Sequence, residues 1–520
     1  MPTAVRSSSS HRILLGAVLA ALAVAAAPSH GQRYEALFRD GATQSGERLK
    51  GPRERPSMSL DDQPLLGSEN PVWVLRNTQT TVAQPREYVE FVNGDRLIGK
   101  VSEIVSGEAA LPWGDHLMVT NTRHSGSVRV RLDWVRRIVA APTTSPPNLD
   151  DGFFVRLRNG REIAPRSLRW MTSGARLLTD DGIVDAPFES IAELRWPRGD
   201  IVPPLPGAAF LEGDGPSIMR TVTSDGEIFT HPLTMLAPAP QRKGRRYEQS
   251  DSLLATRPSW ALDTLAFQRA DIAWQTFLKK DEMPISLLPV AQQEQVAALQ
   301  HIPWQRNCNL RGSYLECGKV SGELGISMHS RTKLSFALPE YATEFTSFVG
   351  LDRAAGEGGC VHCRVYRDDN EEPIWQHNFL RGSDGAQTVG PVDIRGAKTL
   401  TLEVDFADKD RPAGADPLDI RDWVNWLLPT VRVARDAPSF AARRQQDIGR
   451  LIPELEGWHV ANELLNEVVV RPNLHDKEGQ WHLAICSGNE PLILRQQTHV
   501  NLRSAWLHID VAAADIPGAV

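Results

Sequence analysis

Acidic side chains crowd into one stretch of the sequence, DFADKDRPAGADPLDIRDWVNW, which spans residues 405–426. The stretch contains six aspartates, and two tryptophans, Trp423 and Trp426, close it. Three kinds of chemistry use such residues. Carboxylates can hold a calcium ion, a pair of carboxylates can hydrolyse a glycosidic bond, and aromatic rings beside carboxylates can bind a sugar.

The spacing of these acids does not match a calcium loop of the EF-hand type. Such a loop needs alternating acids, a glycine at position six and a glutamate at position twelve. Counted from Asp408, position six is Ala413 and position twelve is Asp419. We therefore predict no cofactor, and a structural calcium ion elsewhere in the protein stays open.

Basic residues interleave with the acids, which argues against catalysis by this stretch. Lys409, Arg411 and Arg421 would pair with neighbouring carboxylates, whereas a glycosidase needs one carboxyl group with a raised pKa. The sequence contains no recognisable nucleophile motif, zinc-protease signature or phosphate loop, and no strand–helix alternation typical of a (β/α)₈ barrel. The sequence favours a protein that is not an enzyme, without deciding the question.

The two tryptophans are three residues apart, so on a helical turn they would share one face. Aromatic faces stack on sugar rings, and nearby carboxylates accept hydrogen bonds from sugar hydroxyls. We predict Trp423, Trp426, Asp416 and Asp422 as carbohydrate contacts. The alternative is that both tryptophans pack in the core while the aspartates cap turns. Trp375, in a strand-like segment, is expected in the core.

The bulk composition indicates a globular protein of several domains that is rich in short strands. The chain has 520 residues, 39 glycines and 36 prolines, which favour turns over long helices. Its formal charge of −7 indicates no basic surface for nucleic acid, so we expect no nucleic-acid partner.

The N-terminus has the features of a signal peptide. Arg6, His11 and Arg12 precede the apolar run ILLGAVLAALAVAAA. This run is too short to span about 30 Å of hydrocarbon comfortably, so a cleaved signal over residues 1–31 is favoured over a membrane anchor. We expect a mature chain that begins near Gln32, has no transmembrane segment and is exported to the periplasm or the extracellular space.

An oxidising compartment would favour disulfides among the five cysteines. Cys308 and Cys317 flank a turn-like segment, and we predict a disulfide between them. Cys360 and Cys363 form CVHC, which Arg364 follows instead of the histidine of a haem attachment site. Within a strand these two cysteines would lie about 10 Å apart, which favours free thiols over a disulfide. A zinc site built from all four cysteines is the alternative.

A turn motif recurs at a fixed spacing in the N-terminal half. The pairs Asn93-Gly94, Asn159-Gly160 and Asp225-Gly226 lie between alternating apolar and polar residues, and each pair follows the previous one by 66 residues. Such pairs are typical of type I′ hairpins. We predict two or three small β units over residues 86–240, after a flexible lead-in at 32–85.

From residue 321 the pattern becomes strand-like. KLSFALP and TLTLEVDF alternate apolar with polar residues, which predicts an antiparallel β-sandwich over residues 321–435. The preceding residues, 241–320, form a mixed connecting region in which QQEQVAALQ, at 292–300, could be helical. Residues 436–520 are predicted to form a second β-rich domain with no identified site.

Several motifs in this region resemble those of a known family and occur in the same order. GELGISMHSRTKLSFALP, FTSFVGLDRAAGEGGCVHCRVYRD, IRGAKTLTLEVDF and DIRDWVNW follow the order of the NPCBM family, whose name means novel putative carbohydrate-binding module. The resemblance covers about residues 321–435. It implies a galactose-binding-like jelly roll, and the strand patterns agree that the protein is mainly β.

The resemblance also implies a function. We expect an exported, non-catalytic carbohydrate-binding protein whose partner is a glycan or polysaccharide. A scaffold that binds other envelope proteins is the alternative, and an accessory subunit of a glycoside hydrolase, or a diverged hydrolase, is the third hypothesis.

Overall fold

The computed structural model describes residues 33–434 with internal gaps, together with four strands beyond residue 457. Every helix in the described part is a single 3₁₀ turn, and the other regular elements are β-strands, which confirms the mainly β class. The signal peptide expected at 1–31 lies outside the described residues. The gaps are residues 51–57, 67–69, 106–114, 122, 125, 142–152, 196–215, 217, 234–236, 244–245, 257, 259, 264, 280 and 297–300.

Four repeat units build the N-terminal part, and each consists of a β-hairpin, a three-stranded sheet and a return strand. The first unit, residues 34–77, lies in the segment for which we expected a flexible lead-in. Its strands are β1 Tyr34–Phe38, β2 Thr43–Gly46, β3 Leu49–Lys50, β4 Ser59–Leu60, β5 Gln63–Pro64 and β6 Val72–Asn77.

The other three units follow the same plan, with a 3₁₀ turn before each return strand, at Leu132–Trp134, Phe188–Ser190 and Arg269–Asp271. The second unit has β7 Tyr88–Phe91, β8 Arg96–Ile98, β9 Lys100–Val105, β10 His116–Asn121, β11 Gly126–Arg131 and β12 Val135–Val139. The third has β13 Phe154–Leu157, β14 Glu162–Ile163, β15 Ser167–Met171, β16 Gly174–Thr179, β17 Gly182–Pro187 and β18 Ile191–Arg195. The fourth has β19 Ile218–Thr223, β20 Ile228–Pro232, β21 Ala237–Lys243, β22 Arg246–Thr256, β23 Leu265–Gln268 and β24 Ile272–Leu278.

The three predicted hairpins form, but their turns differ from the predicted type I′. Gly94, Gly160 and Gly226 have φ angles of 75°, 84° and 92°, whereas the residue before each glycine does not have a positive φ. In the first of them, Gly94 N–H donates to Phe91 O and Phe91 N–H donates to Asp95 O, each over 2.9 Å. This geometry is a type I turn followed by a left-handed glycine, which also suits the twist of a hairpin.

Hairpins and return strands of the four units join into one antiparallel twelve-stranded sheet, in the order β14-β13-β18-β12-β7-β8-β20-β19-β24-β6-β1-β2. Return strands pair with each other, β12 with β18 and β6 with β24. The two resulting pairs of units meet between β8 and β20. Buried side chains of this sheet and of the small sheets, such as Phe91 and Val119, share one core.

The C-terminal half of the described chain is a two-sheet sandwich that already begins before residue 321. It contains 3₁₀ turns at Ile285–Leu287, Arg353–Ala355 and Gly382–Asp384. Its strands are β25 Glu282–Pro284, β26 Val290–Gln295, β27 Gln305–Arg306, β28 Leu315–Cys317, β29 Val320–Gly322, β30 Gly325–His329, β31 Thr332–Ala337, β32 Ala342–Leu351, β33 Cys360–Arg367, β34 Trp375–Arg381, β35 Gln387–Asp393, β36 Thr399–Phe406 and β37 Trp423–Val433.

One sheet of the sandwich has the order β27-β30-β37-β32-β35, with β25 beside β37, and the other has the order β26-β31-β36-β33-β34. The predicted period-two pattern matches the buried faces. In β31, Leu334 and Phe336 are fully buried, whereas Lys333 and Ala337 are exposed. The segment that could have been helical instead contributes to β26, because its backbone pairs with β31.

The repeat units and the sandwich share a buried apolar interface. Trp73 packs against Phe348 with ring centroids 5.6 Å apart, and Trp274 stacks on Tyr314 at 5.2 Å. These side chains belong to a core cluster that includes residues from both parts of the chain. The sandwich is therefore not an isolated domain in this chain, because part of its surface packs against the twelve-stranded sheet.

A buried ion network crosses the same interface. Arg220, in β19, donates from Nε to Glu323 Oε2 and from Nη1 to Asp95 Oδ1, each over 2.9 Å. The side chains of all three residues are at most 2% exposed. A guanidinium thus links the second and fourth repeat units to the sandwich, since Asp95 lies in the second unit and Glu323 between β29 and β30.

Beyond residue 457 the described elements are four strands in two pairs, β38 with β41 and β39 with β40. They span Trp458–Val460, Val468–Pro472, Trp481–Ile485 and Leu494–Gln496, numbered in that order. No helix within the described part of the chain has the length and hydropathy that crossing a membrane requires.

Candidate functional site

The acidic stretch forms the long connection between β36 and β37 and is organised around Arg411. The guanidinium of Arg411 donates to the carbonyl oxygens of Ala407, Asp416 and Leu418, and to that of Cys360 over 3.3 Å. Carbonyl oxygens that converge in this way could suit a calcium ion, but here the positive charge of Arg411 already satisfies them. Within the described residues, no three His, Cys, Asp or Glu side chains converge as metal ligands.

Asp416 lies at the surface of this connection and pairs with Arg421. Arg421 Nε donates to Asp416 Oδ2 over 2.5 Å, and Nη2 donates to Oδ1 over 2.9 Å. This contact lowers the pKa of Asp416, so the carboxylate is ionised at neutral pH. Because its side chain is still 20% exposed, its remaining lone pairs can accept hydrogen bonds from a ligand.

Asp422 is placed differently, since it is completely buried. Its Oδ1 accepts a hydrogen bond from the backbone N–H of Cys360 over 2.9 Å, and its Oδ2 lies 3.5 Å from Arg411 Nη2. Burial outweighs these two contacts and raises the pKa of Asp422 to about 7. Asp422 therefore ties the start of β37 to the start of β33, and a ligand at the surface cannot touch it in this structure.

This buried carboxyl group should make the protein less stable as the pH rises. Between its ordinary pKa of 3.8 and its folded pKa of about 7, the folded state holds one more proton than the unfolded state. The free energy of unfolding then falls by about 1.4 kcal/mol for each pH unit in that window. The Asp422→Asn variant has no such carboxyl group and lacks this loss. Its free energy of unfolding relative to that of the native protein should therefore be higher at about pH 8 than at about pH 4. Guanidinium unfolding at the two pH values measures the difference.

Asp416→Asn is the matched control for this measurement. The pKa of Asp416 is lowered by Arg421, so Asp416 contributes stability that is present above its ordinary pKa and is lost as the pH falls. Relative to the native protein, Asp416→Asn should therefore be less stable at the higher pH than at the lower pH. This is the opposite of the result expected for Asp422→Asn. Equal pH responses of the two variants would contradict the different burial of the two carboxyl groups.

The structure separates the two tryptophans that we expected to share a face. The segment that carries them is strand β37, not a helical turn, and residues three apart in a strand point to opposite faces. Trp426 is completely buried between the sheets, with its ring in an edge-to-face contact with Trp375 at 6.1 Å. A surface ligand cannot reach Trp426 here, which matches the alternative that it is a core residue. Trp375 is half-buried and packs against the same core.

Trp423 is the half-buried member of the pair and lies at the end of the sandwich. The guanidinium of Arg311 lies over its ring, 4.6 Å from the centroid. Arg311 belongs to a turn in which Asn309 Oδ1 accepts hydrogen bonds from the N–H groups of Arg311 and Ser313, over 3.0 and 2.9 Å. Our sequence analysis missed Arg311, because only the fold brings it to Trp423 across 112 residues of chain.

The predicted Cys308–Cys317 disulfide is not formed in the structure, where all four described cysteines are free. Cys317 is buried and its thiol donates to Gly350 O over 3.2 Å, and Cys308 is half-buried. Burial raises the pKa of Cys308 to about 12 and that of Cys317 well above its usual range. Cys360 and Cys363 are likewise buried thiols in β33, as free cysteines in a strand should be.

A family model matches the part of the chain that forms the sandwich. Residues 282–431 match the family model described as NPCBM/NEW2 domain. Among solved structures, the chain is similar to the CBM51 of a Clostridium perfringens GH95 in complex with methyl-galactose, at 22% identity and a TM-score of 0.25, covering 29% of this chain and 99% of that one. No curated protein matches the chain.

Two further structures are similar to the chain. One contains CBM51-2 in complex with GlcNAc and INT domains from Clostridium perfringens ZmpB, at 19% identity and a TM-score of 0.26, covering 38% of this chain and 41% of that one. The other contains the tandem CBM51 modules of Sp3GH98 from Streptococcus pneumoniae, at 11% identity and a TM-score of 0.25, covering 77% and 88%. The two-sheet sandwich coincides with the family match, which identifies residues 282–431 of this chain as an NPCBM/NEW2 domain.

Proposed function

We propose that the NPCBM/NEW2 domain binds a glycan without turning it over, in an exported protein, with Trp423 and Asp416 among its contacts. The observation that carries this proposal is the family match over the whole sandwich, residues 282–431. Of the four contacts expected from the sequence, these two are the ones whose side chains are not fully buried.

The chemistry of the two side chains suits a sugar. The ring of Trp423 is an apolar surface against which the carbon-bound hydrogens of a sugar ring can pack, and Arg311 holds the ring in place from one side. The carboxylate of Asp416 is ionised and oriented by Arg421, so it can accept hydrogen bonds from hydroxyl groups. Such contacts bind and orient a glycan but move no proton.

The state of Asp422 and Glu403 supports a non-catalytic role for these two acids of the sandwich. Glycoside hydrolysis needs a raised-pKa acid and an ionised carboxylate on two sides of a bound sugar. Asp422 has the raised pKa, but it is completely buried. Glu403, on the outer face of the sandwich, is engaged by Lys333, Arg364 and Tyr366, and its pKa is lowered.

A scaffold that binds other envelope proteins is the second candidate function. The observation that favours it is the size of the repeat array. The array supplies 24 of the 41 strands in the described chain and lies outside the residues that the family model matches. A protein partner of the array would leave glycan binding by the sandwich unaffected, so the two functions can be tested separately.

Removal of the half-buried ring of Trp423 tests the location of the glycan site. We expect Trp423→Ala to weaken retention on the glycan that the native protein binds by about 2 kcal/mol, roughly 30-fold, because binding hot spots are commonly tryptophans. Its melting temperature should change little. The measurement is affinity electrophoresis or titration calorimetry on the full mature chain.

Trp170→Ala is the matched control, because Trp170 is also half-buried but lies in the third repeat unit. Its melting temperature should likewise change little, and it should keep glycan binding. Equal retention by native protein and Trp423→Ala would place the contact surface elsewhere on the sandwich.

A further inference from the structure

A large cleft lies between the repeat array and the NPCBM/NEW2 domain. Its volume is about 920 Å³, near the upper end of the size range of small-molecule sites. One wall consists of the segment 82–86 together with side chains of β7, β8 and β12, and the other wall consists of residues 286–287 and 305–314. Gln84 Nε2 donates to Gly312 O over 2.8 Å and so connects the two walls.

The lining of this cleft is strongly basic, although the whole chain has a formal charge of −7. Only two acidic residues, Glu90 and Glu323, line it together with seven arginines: Arg86, Arg96, Arg136, Arg137, Arg220, Arg306 and Arg311. Arg220 is neutralised by Asp95 and Glu323, and Arg137 by Glu193 at 2.8 Å and Glu90 at 3.6 Å. The lining arginines thus outnumber the four carboxylates Glu90, Glu323, Asp95 and Glu193, so the cleft has an excess of positive charge in an acidic protein.

Two of these guanidinium groups surround one aromatic ring. Arg96 lies 4.6 Å and Arg137 5.7 Å from the ring centroid of Tyr88, whose hydroxyl oxygen accepts a hydrogen bond from Arg137 Nη1 over 3.1 Å. The side chain of Arg96 is only half-buried and lines the cleft, so a ligand there can reach it. A planar anion fits the fork of a guanidinium best.

The remaining lining suits a hydroxylated ligand. Gln84, Gln305, Asn307 and Ser313 supply amide and hydroxyl groups to the cleft. Arg311 lines the cleft and its guanidinium also lies over the ring of Trp423, so this side chain is shared by the cleft and the proposed glycan surface.

We propose that this cleft binds the anionic group of an acidic saccharide, a uronate carboxylate or a sulfate ester, whose neighbouring sugar contacts Trp423. This inference rests on the proposed glycan binding and names the class of glycan. Arginine forks bind both anions through paired, charge-assisted hydrogen bonds, and the polar side chains bind the sugar hydroxyls.

An array of paired glycans tests the inference on the full mature chain. Each uronate-containing or sulfated glycan is printed beside its carboxyl-reduced or desulfated form. We expect retention of acidic members over their neutral forms. We expect a loss of about 10-fold or more in Arg96→Gln/Arg311→Gln, because this variant removes two donors of charge-assisted hydrogen bonds to the anion. Uronate pairs and sulfate pairs then distinguish the two anions.

Arg166→Gln/Arg395→Gln is the matched control, because it removes the same charge at two exposed positions outside the cleft lining. It should bind as the native protein does, and an equal loss in both double variants would overturn the cleft as the site. If Arg96→Gln/Arg311→Gln melts early, Arg86→Gln, at an exposed position of the lining, replaces it with the same expected direction.

The outcomes separate the two proposals. Equal retention of acidic and neutral forms would overturn the acidic-saccharide inference and leave glycan binding intact. Retention of no glycan at all would overturn both. Equally tight binding of duplex DNA, used as a polyanion without saccharide specificity, would also overturn the inference.

Discussion

Replacement of Arg220 by methionine should lower the free energy of unfolding by about 3–5 kcal/mol, because it leaves buried carboxylates without their cationic partner. The guanidinium is 1% exposed and donates to Glu323 and Asp95, and also to Thr230 Oγ1 and Gly94 O, each over 2.9 Å. Methionine fills a similar volume, so the loss reflects charge and hydrogen bonds more than packing. Guanidinium unfolding followed by tryptophan fluorescence measures it.

Arg432→Met provides the comparison for this variant. Arg432 pairs with Glu344 over 2.6 Å, but the two side chains are 41% and 39% exposed. Water solvates both charges when this pair is removed, so we expect a loss of only about 0–1 kcal/mol. If Arg220→Met were as stable as Arg432→Met, the buried network would not be what joins the repeat array to the sandwich.

The second large effect is expected at Trp426. Truncation to alanine should lower the free energy of unfolding by about 3–5 kcal/mol, since it removes a completely buried ring from the core of the sandwich. Trp426 lies opposite Ile326 on β30 and Val349 on β32, so the cavity would open in the centre of the sheet. Denaturant unfolding of native protein and variant gives the difference.

Trp426→Phe should be much less destabilising than Trp426→Ala. The indole N–H of Trp426 has no hydrogen-bond partner among the described residues, so phenylalanine keeps most of the ring and removes an unsatisfied donor. A Trp426→Ala variant that kept its native stability and lost glycan binding would show that this tryptophan is a ligand contact, contrary to the structure.

The sequence predicted where three hairpins lie, but it predicted fewer repeat units than the structure contains. The three Asn-Gly and Asp-Gly pairs do form hairpins, because the glycine after an asparagine or aspartate readily adopts a positive φ. A fourth hairpin has the same turn at Asp40-Gly41, with a φ of 87° at Gly41. We missed it because Gly41 precedes Gly94 by 53 residues and not by 66, so the periodic spacing did not include it.

Tertiary contacts determined the features that the sequence did not predict. Residues 290–295 contain no strong strand formers after Val290, yet they form an edge strand because their backbone pairs with β31. Trp423 and Trp426 would lie on a common face only if their segment were helical. The segment is a strand, because its backbone pairs with β30 and β32. In each case a non-local partner outweighed the local pattern.

The candidate sites depend on non-local contacts even more strongly. Arg96, Arg137 and Arg311 come from three distant segments, and no local motif connects them. Pairing of β7 with β8 and β12 brings Arg96 and Arg137 to Tyr88, and the docking of the repeat array on the sandwich adds Arg311 to the same cleft. By contrast, Asp416 and Arg421 are five residues apart, and the interleaving of acids with bases correctly indicated that they would pair.

Glycan binding without turnover is the central claim, and one measurement tests it most directly. A chain that begins at Gln32 is incubated with a broad glycan array. Bound protein and released sugars are quantified on the same spots, the sugars by mass spectrometry. We predict reproducible retention on at least one class of glycan and no release of cleaved sugar. Cleavage of the retained glycan, or no retention of a folded protein on any glycan, would contradict this account.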